Sequence, residues 1–130
     1  MAFKAQKMKE RSFQTTFSHW LKNVHRKTGA FELKVAKNES LPFSAVADHQ
    51  LQALENVRYG TFVFKIIDAG YQNPFDCFCL TRQPAWIVIK YEKFFCLITI
   101  DTFLLEKERS VRKSLTAVRA REIAVEVIHS

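Results

Sequence analysis

Ala30-Phe31-Glu32-Leu33-Lys34-Val35 is the stretch on which the reading of this chain turns. Strand side chains alternate between faces, so Phe31, Leu33 and Val35 share one face while Glu32, Lys34 and Ala36 share the other. The first face is that of a strand packed on a core. The second sets a carboxylate and an ammonium two residues apart. That pair has a chemical use beyond solvation: a carboxylate holds a divalent cation, and a lysine beside it orients a water or offsets charge on a phosphate in a transition state. Alone, Glu-x-Lys is equally the commonplace solvated face of a strand, and the flanking sequence decides between the two.

Upstream, Phe13, Phe17, Trp20, Leu21 and Val24 recur at helical spacing behind Ser12, a residue suited to an N-cap, and Lys27-Thr28-Gly29 closes that helix. Residues 1–11 read as a basic N-terminal arm and 12–130 as a single domain. Downstream, Asn38-Glu39-Ser40 reads as a loop. Pro42 opens a second helix near Ser44–Val57, with Val46, Leu51 and Leu54 inward. Thr61–Ile67 has the make-up of a buried strand, and Asp68 to Pro74 carries strong turn chemistry. Phe75–Leu80, Ala85–Tyr91 and Phe94–Phe103 read as three more strands. A polar, basic stretch, Glu106–Lys113, precedes a last helix over Ser114–Val127. The order predicts a mixed sheet with a helix on each face, an α/β or α+β domain.

The 130 residues suit one domain, and 12 Phe against 3 Gly favour a packed core over disorder. The formal net charge of +7 is unevenly spread. Residues 1–37 hold nine basic and two acidic groups, residues 38–105 five and seven, and residues 106–130 six and four. Basic ends around an acidic middle predict a polyanionic partner. The longest apolar runs, Ala85–Ile89 and Phe94–Ile100, fall far short of the roughly 20 residues a membrane span needs. Lys4 and Lys7 are followed by no apolar segment, so no secretory signal is visible. Cys77, Cys79 and Cys96 all lie in apolar runs without Cys-x-x-Cys spacing. They predict buried thiols in a reducing, cytoplasmic setting rather than disulfides or a zinc site.

Three segments together resemble the RecU-type Holliday junction resolvases of the PD-(D/E)xK nuclease superfamily. They are Phe31-Glu32-Leu33-Lys34, then Ser40-Leu41-Pro42-Phe43, then His49-Gln50 opening a helix. In that group a Phe-Glu-Ala-Lys strand is followed by a Ser-Phe-Pro-Leu loop and a helix bearing His-Gln. Lys34 and Gln50 are 16 positions apart, close to the family spacing. Arg112-Lys113-Ser114-Leu115 is similar to the family's basic Arg-Lys-Ser-Ile segment after its last strand. The resemblance implies a restriction-endonuclease-like fold. It implies an endodeoxyribonuclease that depends on Mg2+ or Mn2+ and resolves four-way junctions in DNA recombination and repair. Symmetric cutting of two strands implies a homodimer.

Carried onto this sequence, the resemblance has Glu32 holding the metal and Lys34 stabilising the phosphate or positioning water. Gln50 assists them, its amide offering both a donor and an acceptor. One departure stands out. The superfamily pattern puts an Asp on the strand before Glu-x-Lys, and residues 25–30 contain none. Two aspartates are candidates to replace it. Asn73-Pro74-Phe75-Asp76 is similar to the Pro-Asp half of the signature, while Val88 stands in the slot of its Glu, so Asp76 would join Glu32 and Lys34 across the sheet. Asp68, at the end of the preceding strand, is the second. Each is otherwise a turn residue. A second acid matters because magnesium wants near-octahedral oxygen coordination, which one carboxylate serves poorly. Glu10 corresponds to the acid of the family's first helix, a further metal contact. His49 reads as a packing or phosphate-contact residue rather than a general base. Lys7, Lys9, Arg11, Lys22, Arg26, Lys27 and the cluster Arg109, Arg112, Lys113 are candidate DNA phosphate contacts. Two other readings stay open: a non-catalytic nucleic-acid-binding protein on the same fold, and a basic protein-interaction module.

Overall fold

The computed structural model describes the backbone of residues 2–22, 29–65 and 77–129, and the side chains of 9–22, 29–60 and 82–129. Helix α1 (Ala2–Trp20) leads to strand β1 (Ala30–Val35), strand β2 (Ser40–Pro42), a single 3-10 turn over Phe43–Ala45, and helix α2 (Asp48–Tyr59). Strands β3 (Thr61–Lys65), β4 (Cys77–Thr81), β5 (Ala85–Lys90) and β6 (Phe94–Thr99) follow. Helix α3 (Ile100–Arg109), strand β7 (Ser114–Thr116), helix α4 (Ala117–Ile123) and strand β8 (Glu126–His129) complete the chain.

The central sheet runs β1-β5-β6-β8, parallel between β1 and β5 and antiparallel beyond. Two antiparallel pairs, β2 with β7 and β3 with β4, lie outside it. Strand β5 explains the layering. Ile87, Val88 and Ile89 are all fully buried, so both faces of the sheet are covered here, as their unbroken apolar run requires. Val88, Phe95 and Leu97 pack with Phe13, Phe17 and Trp20 of α1 on one face. Ile87, Ile89, Cys96 and Ile98 pack with α2, Phe103 of α3 and Ala120 of α4 on the other. The fold is therefore mixed α+β, with helices on both faces of a mixed sheet. Among the described residues no helix is long and apolar enough to cross a membrane. The Cys96 thiol is buried and free, and burial pushes its pKa up to about 12. The side chains of Cys77 and Cys79 lie outside the described residues.

Several boundaries differ from those expected. Helix α1 begins at Ala2 rather than after Ser12, so the basic segment expected as an arm is its first half. Ala, Lys, Gln, Met, Glu and Arg dominate residues 2–11 and are good helix formers. A helix fixed by the packing of Phe13 and Phe17 propagates back through them. The strand expected over Phe94–Phe103 stops at Thr99. Its hydroxyl accepts from the Thr102 N–H at 3.2 Å and starts α3. The last helix expected over Ser114–Val127 shrinks to α4. Ser114–Thr116 is recruited by β2, and Val127 and Ile128, pointing into opposite cores, make β8 a strand. Asn38-Glu39 is a two-residue turn with both residues left-handed, at φ 53° and 58°. It is closed by the Ser40 N–H on the Lys37 carbonyl at 3.1 Å. Asparagine tolerates that region; a glutamate there costs about 1 kcal/mol.

Two contacts lock the second core. The buried Tyr91 hydroxyl donates to the Leu115 carbonyl at 2.9 Å, joining the end of β5 to β7. Arg119 of α4 grips Glu106 of α3 through two hydrogen bonds, at 2.8 and 3.1 Å, and reaches Glu122 at 2.8 Å. Tyr91→Phe removes this hydrogen bond and should cost about 0.5–1.5 kcal/mol in denaturant unfolding; an unchanged midpoint would contradict this contact. The hydrogen bond from Arg119 holds the Glu106 carboxyl below its ordinary range. A depressed folded pKa gives stability that is present above the unfolded value and lost as pH falls through the folded one. Melting temperatures followed into acid should therefore decline less for Glu106→Gln than for the wild type.

Candidate functional site

Strand β1 is an outer strand of the central sheet, and its register pairs Glu32 with Ile87 and Lys34 with Ile89. Because Phe31, Leu33 and Val35 are taken up by the core beneath α1, Glu32 and Lys34 face α2. Both are half-buried, with side chains 28% and 18% exposed. Charges at that depth need partners. The Lys34 ammonium lies 3.4 Å from Glu32 Oε1. Gln50, in the first turn of α2, donates from Nε2 to the same oxygen at 3.0 Å. Its Oε1 meanwhile accepts from the Ala47 N–H at 3.0 Å. This is the glutamine half of a capping box; Ala47 has no side-chain oxygen to return the favour. The Gln50 amide is thus engaged at both ends, with its nitrogen turned to the carboxylate.

The local chain path brings these groups together. Beyond the Asn38-Glu39 turn, β2 pairs with β7 in the register Ser40 with Thr116, Leu41 with Leu115 and Pro42 with Ser114. The Phe43 N–H donates to the Lys113 carbonyl at 3.0 Å. Ser40–Pro42, within the segment expected as a loop, and Ser114–Thr116, expected to begin the last helix, are therefore strands lying side by side. Pro42, with φ −59°, turns the chain into the 3-10 turn that delivers α2 to Glu32. A cavity of about 440 Å³ opens beside Lys34, lined also by Glu10, Lys37, Asn38, Ser40 and Ser114. Glu10 reaches it because α1 extends through residues expected to form the arm. Lys37 and Ser114 join the site without being sequence candidates; the one signal for Ser114 is its place inside the Arg112–Leu115 segment.

Asp68 and Asp76 lie outside the described residues, as do Arg26 and Lys27 and the side chain of Lys7. Lys9, Arg11 and Lys22 are exposed on or next to α1, and Arg109, Arg112 and Lys113 are exposed between α3 and β7. His49 is exposed in the first turn of α2, which removes the packing role. Among the described residues no cluster of three or more His, Cys, Asp or Glu side chains suited to a metal is found.

Gln50→Glu tests the geometry directly. The new carboxylate can still accept from the Ala47 N–H, so α2 should keep its start. The donor to Glu32 is replaced by a like charge, which should lower the melting temperature at pH 7 by a few degrees, about 1 kcal/mol. An unchanged melting temperature would mean that the two side chains do not meet. Scanned against family models, curated proteins and solved structures, the chain gives no match.

Proposed function

We propose that this protein is a divalent-metal-dependent DNA endonuclease that resolves four-way junctions, on a restriction-endonuclease-like fold and as a homodimer. One observation carries the reading. Lys34 and Gln50, from different elements and 16 positions apart, meet on a single oxygen of Glu32, which is the trio the RecU-type resemblance implies. The mixed sheet, with β1 at its edge and helices on both faces, suits that fold.

In this reading Glu32, and Glu10 of the cavity beside Lys34, would offer hard carboxylate oxygens, the ligands preferred by Mg2+ or Mn2+. Asp76 or Asp68 would supply a second strand carboxylate. When bound, such an ion supplies Lewis-acid polarisation of the phosphodiester and a water that deprotonates readily. The chain's own residues do the rest. Gln50 fixes the Glu32 side chain through a short amide contact. Lys34, held 3.4 Å from Glu32, offsets charge developing on the phosphate oxygens. Lys9, Arg11, Lys22, Arg109, Arg112 and Lys113 grip phosphates away from the cut, giving affinity that falls with salt.

The test is cleavage of a synthetic four-way junction at low salt with Mg2+ or Mn2+. The wild type should cut, and chelation should stop it. Glu32→Gln and Lys34→Ala should lower the single-turnover rate by at least about 10²-fold while junction binding persists. Asp76→Asn and Asp68→Asn, measured the same way, assign the second carboxylate. Binding without cutting, indifferent to Glu32→Gln, would favour the non-catalytic nucleic-acid-binding reading. No DNA binding at any salt would favour the protein-interaction module.

A further inference from the structure

A second and larger cavity, of about 740 Å³, opens between α1 and the C-terminal ends of the parallel strands β1 and β5. Its apolar lining is Val35 and Ala36, with the edges of the buried Phe13, Tyr91 and Phe95 beneath them. Its rim is polar, carrying Ser12, Thr16, Lys37, Asn38, Glu39 and Lys90. Val35, Lys37 and Asn38 also line the cavity beside Lys34 and Glu10, so the two cavities are neighbours across one turn of chain.

The rim is built rather than loose. The half-buried Lys90 donates from Nζ to the Glu92 carbonyl at 3.2 Å, and burial lowers its pKa. Glu39 Oε1 accepts from the Glu92 N–H at 3.0 Å. The Glu39 carbonyl accepts from the Ala117 N–H at 2.9 Å, which pins the turn from the far side. These contacts hold Asn38 and Glu39 in left-handed backbone at the wall between the cavities. A plain two-residue hairpin would take glycine at its second position. A glutamate kept there, with its carboxylate fixed toward the rim, is strain of the kind that collects at ligand sites.

The lining selects the ligand. A bare phosphate clamp has no need of an apolar floor and would not place a carboxylate among its lysines. A purely apolar ligand has no need of three lysines. A nucleotide uses both: a flat body for the floor, donor and acceptor edges for Asn38, Glu39 and the hydroxyls, and a phosphate for Lys9, Lys37 or Lys90. The volume lies within the roughly 300–1,000 Å³ of small-molecule sites. We propose that this cavity receives one unpaired nucleotide of the bound DNA strand, next to the phosphate that Lys34 meets. The proposal rests on the nuclease reading for its substrate. A branch point is where unstacking a base costs least, so such a pocket would favour branched over continuous duplex DNA.

Amide NMR titrations of the metal-free protein, in the presence of chelator, test the cavity without any cleavage. Thymidine 5′-monophosphate should give saturable shifts at residues 12–16, 35–39 and 90–92, and inorganic phosphate should bind at least about tenfold more weakly. Ser12→Trp, which fills the cavity from α1, should abolish those shifts. Lys90→Met, which keeps the stem and removes the ammonium, should weaken binding, and the same spectra report that both variants fold. Equal response to phosphate, shifts elsewhere, or shifts that survive Ser12→Trp would overturn the proposal. In a second arm, a four-way junction carrying a fluorescent adenine analogue beside the branch should brighten with the wild type and not with Ser12→Trp. Nucleotide binding at the cavity in a protein that never cuts would sink the nuclease reading alone. Cutting with no nucleotide binding, and no brightening of the bound junction, would sink the cavity proposal alone.

Discussion

The parallel pairing of β1 with a β5 buried on both faces is the constraint from which the rest of this structure follows. Ile87, Val88 and Ile89 are shut off from water on each side of the sheet, which is possible only if helices cover both faces. α1 supplies one cover through Phe13, Phe17 and Trp20, whose rings meet Phe95 at 5.5, 6.1 and 5.6 Å between centroids. α2, α3 and α4 supply the other. β1 is then left at the sheet edge with one face drawn into the α1 core and the other turned to α2. A half-polar strand suits this place, because β1 can keep charged groups at the margin of the core while β5 cannot.

The site inherits its energetics from that margin. Glu32 and Lys34 are buried enough for their mutual attraction to exceed that of an exposed pair, yet exposed enough to avoid the full cost of desolvation. Gln50 adds a neutral donor, which orients the carboxylate without cancelling its charge. A second cation in its place would compete with any metal. An amide holds the side chain and leaves the negative charge available. Gln50 can do this only because its oxygen is already committed to the Ala47 N–H, so the start of α2 and the orientation of Glu32 are one arrangement.

How much of this was legible in the sequence depended on the range of the interaction that decides each element. The period of two in Phe31–Val35 reported β1 with its boundaries and both faces, because a strand's alternation is local. The apolar spacing of Phe13, Phe17 and Trp20 gave α1's buried face but not its start, which depends on helix propagation through good helix formers that carry no apolar period of their own. Thr99 and Thr116 are good caps hidden inside segments read as strand and helix. The break after Thr99 was missed because the apolar run continues through Ile100 and Phe103, which are buried as helix residues just as well. Ser114–Thr116 and Glu126–His129 become strands only through partners about 75 and 30 positions away, at Ser40–Pro42 and Phe94–Leu97, and no local pattern encodes such partners. The Glu32, Lys34 and Gln50 trio was legible as a motif; that both contacts fall on one oxygen was not.

The Lys37–Ser40 turn links the two cavities and explains why its strain is tolerable. It is held from three sides: by its own closing hydrogen bond, by Ala117 at the start of α4, and by Glu92 in the β5–β6 turn. A position fixed by three separate elements can keep a left-handed glutamate that an isolated hairpin would lose to glycine. The same fixing means that Lys34 on one side and Glu39 on the other cannot shift independently. A strand of nucleic acid lying across this turn would meet the two cavities as one rigid surface. The spacing between the Glu32 carboxylate and the larger cavity would then be set by the fold before any substrate arrives.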